Sequence, residues 1–109
     1  MNELEYKECI PCQEGTPPLP QREQQALLAQ LSEGWKVIQG HHLENAYRFA
    51  NFREALAFCN KVGGLAEMIG HHPDIYLSWG KVRITIWTHK IDGLTHNDFV
   101  LAAKIDDLQ

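Results

Sequence analysis

Apolar residues along this chain alternate between two spacings, and the changes of period mark out its elements. Leu27, Leu28 and Leu31 share one face of a helix predicted over 21–31, where most residues are good helix formers. Pro20 suits the first turn of that helix and Gly34 ends it. Residues 35–38 and 43–50 then read as two strands joined around Gly40, the second alternating poorly. Asn51 with Glu54 three residues later forms a capping-box pair, in which Asn51 accepts from a free backbone N–H and Glu54 reaches back. Behind this cap Phe52, Leu56, Cys59, Val62 and Ala66 fall at helical spacing and predict a buried stripe. Gly63-Gly64 weakens the middle of the helix, and Gly70 with Pro73 stops it. Glu67 thus falls in the last turn, with His71, His72 and Pro73 in the exit loop.

Beyond that loop the period returns to two. Residues 75–79 and 82–89 predict a hairpin about Gly80-Lys81. Val82, Ile84 and Ile86 point one way along the second strand, while Arg83, Thr85, Trp87 and His89 point the other, which puts His89 at the strand's end and off the apolar face. Thr95 begins a last helix with Asp98 three residues on, and Leu94 with Phe99 are placed as a hydrophobic staple. Phe99, Ala102, Ala103 and Ile105 supply its buried side. The order helix, two strands, helix, two strands, helix implies a single α+β domain: a four-stranded antiparallel sheet with three helices packed on one face. Residues 1–18 hold three of the five prolines and two of the three cysteines, and read as an irregular N-terminal strap ahead of a domain over 19–109.

Composition narrows the function classes. A chain of 109 residues has room for one core, and 44% hydrophobic with 22% charged residues fits a soluble globular protein. No apolar run approaches the roughly 20 residues that span a bilayer, and residues 1–10 mix Glu3, Glu5, Lys7 and Glu8, unlike a secretory signal. The expected location is the cytoplasm, with no membrane partner. A net charge of −4 without a Lys/Arg cluster argues against nucleic acid as a partner. Three cysteines do not suit a disulfide scaffold. Cys9-Ile10-Pro11-Cys12 is a single C-x-x-C without two further close ligands, and reads as structural or incidental thiols. Six histidines in so short a chain are the feature that needs explaining.

The run Glu67-Met68-Ile69-Gly70-His71-His72-Pro73, followed by Trp79, His89 and Asp98, resembles the signature of the pterin-4a-carbinolamine dehydratases. The resemblance continues through Gly80-Lys81-Val82, Ile84-Thr85, Thr88-His89 and Gly93-Leu94-Thr95. Less tightly, it reaches upstream to 49–58 and Gly34-Trp35, covering about residues 20–107. It implies a 4a-hydroxytetrahydrobiopterin dehydratase, a hydro-lyase without a metal or other cofactor. Such an enzyme removes water from a 4a-hydroxytetrahydropterin to give the quinonoid dihydropterin, in tetrahydrobiopterin recycling. His71, His72 and His89 are then the catalytic residues. Glu67, Trp35 and Asp98 are the substrate-binding set, with Glu67 able to fix a histidine tautomer and Trp35 to stack on the pterin. Elimination needs an acid for the leaving oxygen and a base for the N5 proton, and imidazole, with an unperturbed pKa of about 6.5, can act as either.

The resemblance further implies a homodimer or homotetramer, a reduced pterin as ligand, and an aromatic amino acid hydroxylase as metabolic companion. Other readings stand beside it. Capping alone accounts for Asp98, Trp79 and Trp87 read as packing residues, and His41, His42 and His96 read as surface residues. A metal site from His71, His72, His89 and Glu67 is one alternative; adjacent histidines usually diverge, which counts against it. A pterin-binding homologue in another pathway, such as molybdenum-cofactor metabolism, or a non-catalytic dimerisation partner are the others.

Overall fold

The computed structural model describes residues 16–108. Seven elements follow in the expected order: α1 (Gln21–Leu28), β1 (Lys36–Ile38), β2 (His42–Arg48), α2 (Phe52–Ile69), β3 (Asp74–Ser78), β4 (Lys81–Ile86) and α3 (His96–Asp106). The strands pair antiparallel in the order β1-β2-β4-β3, so that β4 lies beside β2 at the centre of the sheet. This is the α+β arrangement that the element order implies. The strap expected over 1–18 falls outside the described residues except for 16–18, which take neither helix nor strand, and Cys9 and Cys12 also lie outside them. Among the described residues no helix is long and apolar enough to cross a membrane.

Parity in β4 is as the sequence predicts: Val82, Ile84 and Ile86 are fully buried, and Arg83, Thr85 and Trp87 occupy the opposite face. On that open face Arg83 lies over the ring of its cross-strand neighbour Tyr76, 4.8 Å from the centroid. The alternation of β2 is concealed by one polar residue. Leu43, Asn45 and Tyr47 all point inward, and Asn45 is tolerated there because its Nδ2 donates to the Tyr47 hydroxyl at 3.0 Å. The chain can approach Asn45 only through Gly34, where an added Cβ would stand 2.6 Å from Asn45 Oδ1.

Helix α2 corrects the predicted stripe. Its buried residues are Ala55, Phe58, Val62 and Ala66, whereas Phe52 is 45% exposed and Leu56 42%. Two apolar rows run along this helix, and sequence spacing does not rank them. Contacts with the sheet do, because Phe58 meets Tyr47 and Phe49 at ring-centroid distances of 4.6 and 5.3 Å. The cap forms as predicted at Asn51, whose Oδ1 accepts from the Glu54 N–H at 2.9 Å, but Glu54 reaches one residue further back, to the Ala50 N–H at 3.2 Å. Gly70 ends the helix in the left-handed region at φ 74° and donates its N–H to the Ala66 carbonyl.

Helix α3 is enclosed on nearly every side, with Val100 and Leu101 buried as well as Phe99, Ala102, Ala103 and Ile105. Strand β4 stops at Ile86, three residues before its predicted end. Residues 88–93 then form a tight turn closed by the Thr88–Gly93 bridge, and His89 belongs to that turn rather than to the strand.

Candidate active site

Strand register carries two histidine pairs to the same end of β4. In the β2–β4 ladder Leu43 faces Ile86, so the next step sets His42 beside Trp87. On the other flank Asp74 faces Thr85, so the α2–β3 exit loop with His71 and His72 runs alongside the end of β4. His89 comes from β4's own extension.

His71 is held by α3. Its Nε2 lies 2.6 Å from Asp98 Oδ1, and the two side chains are 14% and 0% exposed. The other oxygen of Asp98, Oδ2, accepts from the Thr95 N–H at 2.8 Å and from the Thr88 hydroxyl at 2.9 Å. Thr88 Oγ1 is in turn 2.8 Å from Thr95 Oγ1. A single enclosed carboxylate therefore closes the capping box of α3, ties down the residue before His89 and orients His71. With the carboxylate at Nε2, that nitrogen donates, which in the neutral ring leaves the lone pair on Nδ1.

His72 has a separate carboxylate. Its Nε2 is 2.5 Å from Glu67 Oε2, both side chains standing largely in solvent. Helix α2 makes this pairing possible by ending at Gly70, which turns the exit loop back over the last helical turn. Glu67 thus pairs with His72, while His71, four residues after Glu67 in sequence, belongs to Asp98.

His89 leans on Trp87, with ring centroids 4.3 Å apart and planes 34° apart. Trp87 also meets His41 and His42, with ring centroids 5.5 and 6.1 Å away. His41 Nδ1 is 3.1 Å from His42 Nδ1, and His41 Nε2 is 2.8 Å from Asp92 Oδ1. The half-buried His41 and His42, read from sequence as surface residues, are thus part of a continuous ring network. Sequence reasoning missed Thr88, Asp92 and these two histidines. Parity put Trp87 on the face of His89, but only the β2–β4 pairing brings His41 and His42 beside it. Trp79 is 67% exposed, in the turn between β3 and β4. His96 opens α3 as an exposed residue.

Two expected substrate contacts lie inside the chain. Trp35 is 3% exposed, with its indole N–H donated to Asp106 Oδ1 at 2.9 Å. Asp98 is fully enclosed by the partners named above. Tyr47, in the core, has its ionisation pushed well above the usual tyrosine range, first by burial and then by the nearby Asp106 charge. Burial likewise raises the Cys59 thiol. Among the described residues no three His, Cys, Asp or Glu side chains are arranged to hold a metal ion.

Comparison with known proteins bears on the family and the fold. The sequence pattern of the family described as pterin 4 alpha carbinolamine dehydratase matches residues 17–108. A relative from Alkaliphilus metalliredigens, provisionally assigned as a pterin-4-alpha-carbinolamine dehydratase, is 59% identical over 109 residues, covering 100% of this chain and 98% of its own. One from Rubrobacter xylanophilus, with the same provisional assignment, is 57% identical over 108 residues, covering 99% and 100%. The crystal structure of a transcriptional coactivator/pterin dehydratase from Brucella melitensis superposes with a TM-score of 0.77 at 27% identity, over 84% of this chain and 97% of that one. A pterin dehydratase-like protein, identified as a RuBisCO assembly factor in the alpha-carboxysome, has a TM-score of 0.59 at 23% identity over 71% and 90% of the two chains, a likeness of fold alone. With a pattern matched along nearly the whole described chain and relatives more than half identical from end to end, the protein belongs to the pterin-4-alpha-carbinolamine dehydratase family.

Proposed function

We propose that this chain dehydrates a 4a-hydroxytetrahydropterin to the quinonoid dihydropterin, with His71, His72 and His89 as the acid/base groups. The observation that carries the reading is that His71 and His72, adjacent in the exit loop, are each oriented by a different carboxylate, one enclosed and one in solvent. Loss of the C4a hydroxyl needs a proton delivered to the departing oxygen and another taken from N5, leaving a C4a=N5 double bond and water. Imidazoles with Nε2 occupied by a carboxylate present Nδ1 for such transfers.

In this reading Glu67 and Asp98 act through the histidines they hold. The enclosure of Asp98 and Trp35 argues for support of the site rather than contact with substrate. The proposal extends to tetrahydrobiopterin recycling beside an aromatic amino acid hydroxylase, to a homo-oligomeric assembly, and to a cytoplasmic setting.

Purified protein mixed in a stopped-flow instrument with enzymically generated 4a-hydroxytetrahydropterin tests the reaction directly. His72→Ala and His89→Ala are expected to lower the dehydration rate at least tenfold, and by as much as the full general acid/base contribution of about 100- to 10,000-fold, with the circular dichroism spectrum unchanged. Near wild-type rates in both variants would remove the mechanism. Pterin binding without turnover in the unaltered protein would favour a pterin-binding role in another pathway.

A further inference from the structure

We infer that Asp92, His41 and Trp87 form a positioning relay that sets the pose of the His89 imidazole, an inference that rests on the proposed role of His89 in dehydration. His89 sits in the 88–93 turn, past the last ladder pair of β4, where the sheet no longer restrains its side chain. Its ring partner is Trp87, at 4.3 Å. Trp87 also has ring contacts with His41 and His42 of the β1–β2 hairpin. That hairpin turns through Gln39 and Gly40, both at positive φ, and is closed by the His41 N–H donated to the Ile38 carbonyl at 2.9 Å.

The hairpin is fastened back onto the turn that carries His89. His41 Nε2 is 2.8 Å from Asp92 Oδ1, and the Asp92 N–H donates to the His89 carbonyl at 3.2 Å. The chain of contacts therefore closes on itself: His89 to Trp87 through rings, Trp87 to His41 through rings, His41 to Asp92 through a carboxylate hydrogen bond, and Asp92 back to His89 through the turn. Asp92 occupies the left-handed region at φ 54°, which aspartate and asparagine tolerate better than most residues. The His41–Asp92 pair is exposed, with side chains 35% and 89% accessible, and adds little to global stability. Its effect is local: the backbone of the turn is already closed by the Thr88–Gly93 bridge and its own hydrogen bonds, and the pair holds the β1–β2 hairpin, with its ring contacts to Trp87, against that turn. A catalytic imidazole displaced by a fraction of an ångström loses rate without losing affinity.

The relay is tested with variants that separate geometry from folding. Asp92→Gly deletes the carboxylate at a position where glycine meets no backbone strain, and Asp92→Asn keeps an oxygen to accept the His41 N–H. Asp92→Gly and His41→Ala are expected to lower kcat about tenfold with KM changed less than twofold, and the double variant to be no worse than either single one. Asp92→Asn is expected to recover at least half the wild-type kcat. Trp87→Phe should preserve the rate better than Trp87→Leu, since it keeps a ring face against His89.

The second readout is the NMR spectrum of the His89 ring protons. The Trp87 ring current is expected to shift them upfield in the wild type, an effect lost in Trp87→Leu and weakened in Asp92→Gly. Unchanged kcat in Asp92→Gly and His41→Ala while His89→Ala is inactive would overturn the relay, as would His89 signals that do not move in Trp87→Leu. Should His89→Ala itself keep full activity, the proposed mechanism fails instead, and the ring-proton shifts alone decide whether the relay holds His89.

Discussion

Exchanging Asp98 for asparagine separates what this residue does for the fold from what it does for His71. Oδ2 accepts two hydrogen bonds, from the Thr95 N–H and the Thr88 hydroxyl, at 2.8 and 2.9 Å, so in Asp98→Asn the amide oxygen must take that position. The amide nitrogen then occupies the place of Oδ1, facing His71 Nε2 across 2.6 Å. An NH₂ group donates there, so His71 Nε2 must accept, and the ring proton moves to Nδ1. The variant keeps the helix cap but reverses the His71 tautomer and removes the charge that would support an imidazolium.

Stability should therefore fall by no more than about 1–2 kcal/mol, the worth of a charge-assisted over a neutral hydrogen bond. The dehydration rate should fall on the order of 100-fold. Asp98→Ala differs, because it deletes the cap, worth about 0.5–2 kcal/mol, and leaves buried donors unpaired at about 1–3 kcal/mol each. A loss of about 3 kcal/mol lowers Tm by roughly 12–24 °C in a domain of this size. Thermal unfolding followed by circular dichroism gives the stabilities, and stopped-flow dehydration gives the rates. Wild-type turnover in an Asp98→Asn protein of wild-type stability would refute the coupling of Asp98 to His71.

Two further substitutions probe the core that supports this site. Gly34→Ala forces a Cβ to within 2.6 Å of Asn45 Oδ1, and moving Asn45 breaks its bond to Tyr47, so a loss of about 1–3 kcal/mol is expected in urea unfolding; an unchanged midpoint would mean that this contact relaxes freely. Tyr47→Phe leaves the Asn45 amide without its acceptor, for a similar loss near neutral pH. The folded state holds the Tyr47 proton more tightly than the unfolded chain, whose tyrosines titrate near 10.0. The stability that this linkage supplies is complete below that pH and declines above it, so the gap between wild type and Tyr47→Phe should narrow in alkaline titrations beyond about pH 10. A gap that stays constant would show that burial does not oppose the ionisation.

Several features of this protein depend only on residues close together in the chain, and these were legible in advance. The caps at Asn51 and Thr95, the stop at Gly70, the parity of Val82, Ile84 and Ile86, and the order of elements that selects the α+β fold all follow from local geometry. The histidine pair in the exit loop was legible too, because its spacing from Glu67, His89 and Asp98 carries a family resemblance. Tertiary structure decided which partner each residue meets. Periodicity could not choose between the two apolar rows of α2, since only contact with Tyr47 and Phe49 makes the row containing Phe58 the buried one. Asp98 was legible as a cap through one oxygen, but the other reaches His71, 27 residues earlier. His41 and His42 join Trp87 because the order β1-β2-β4-β3 sets β2 against β4. Capping and alternation are settled within a turn of chain, whereas the site is made of side chains from separate elements, and their meeting depends on how the sheet is assembled.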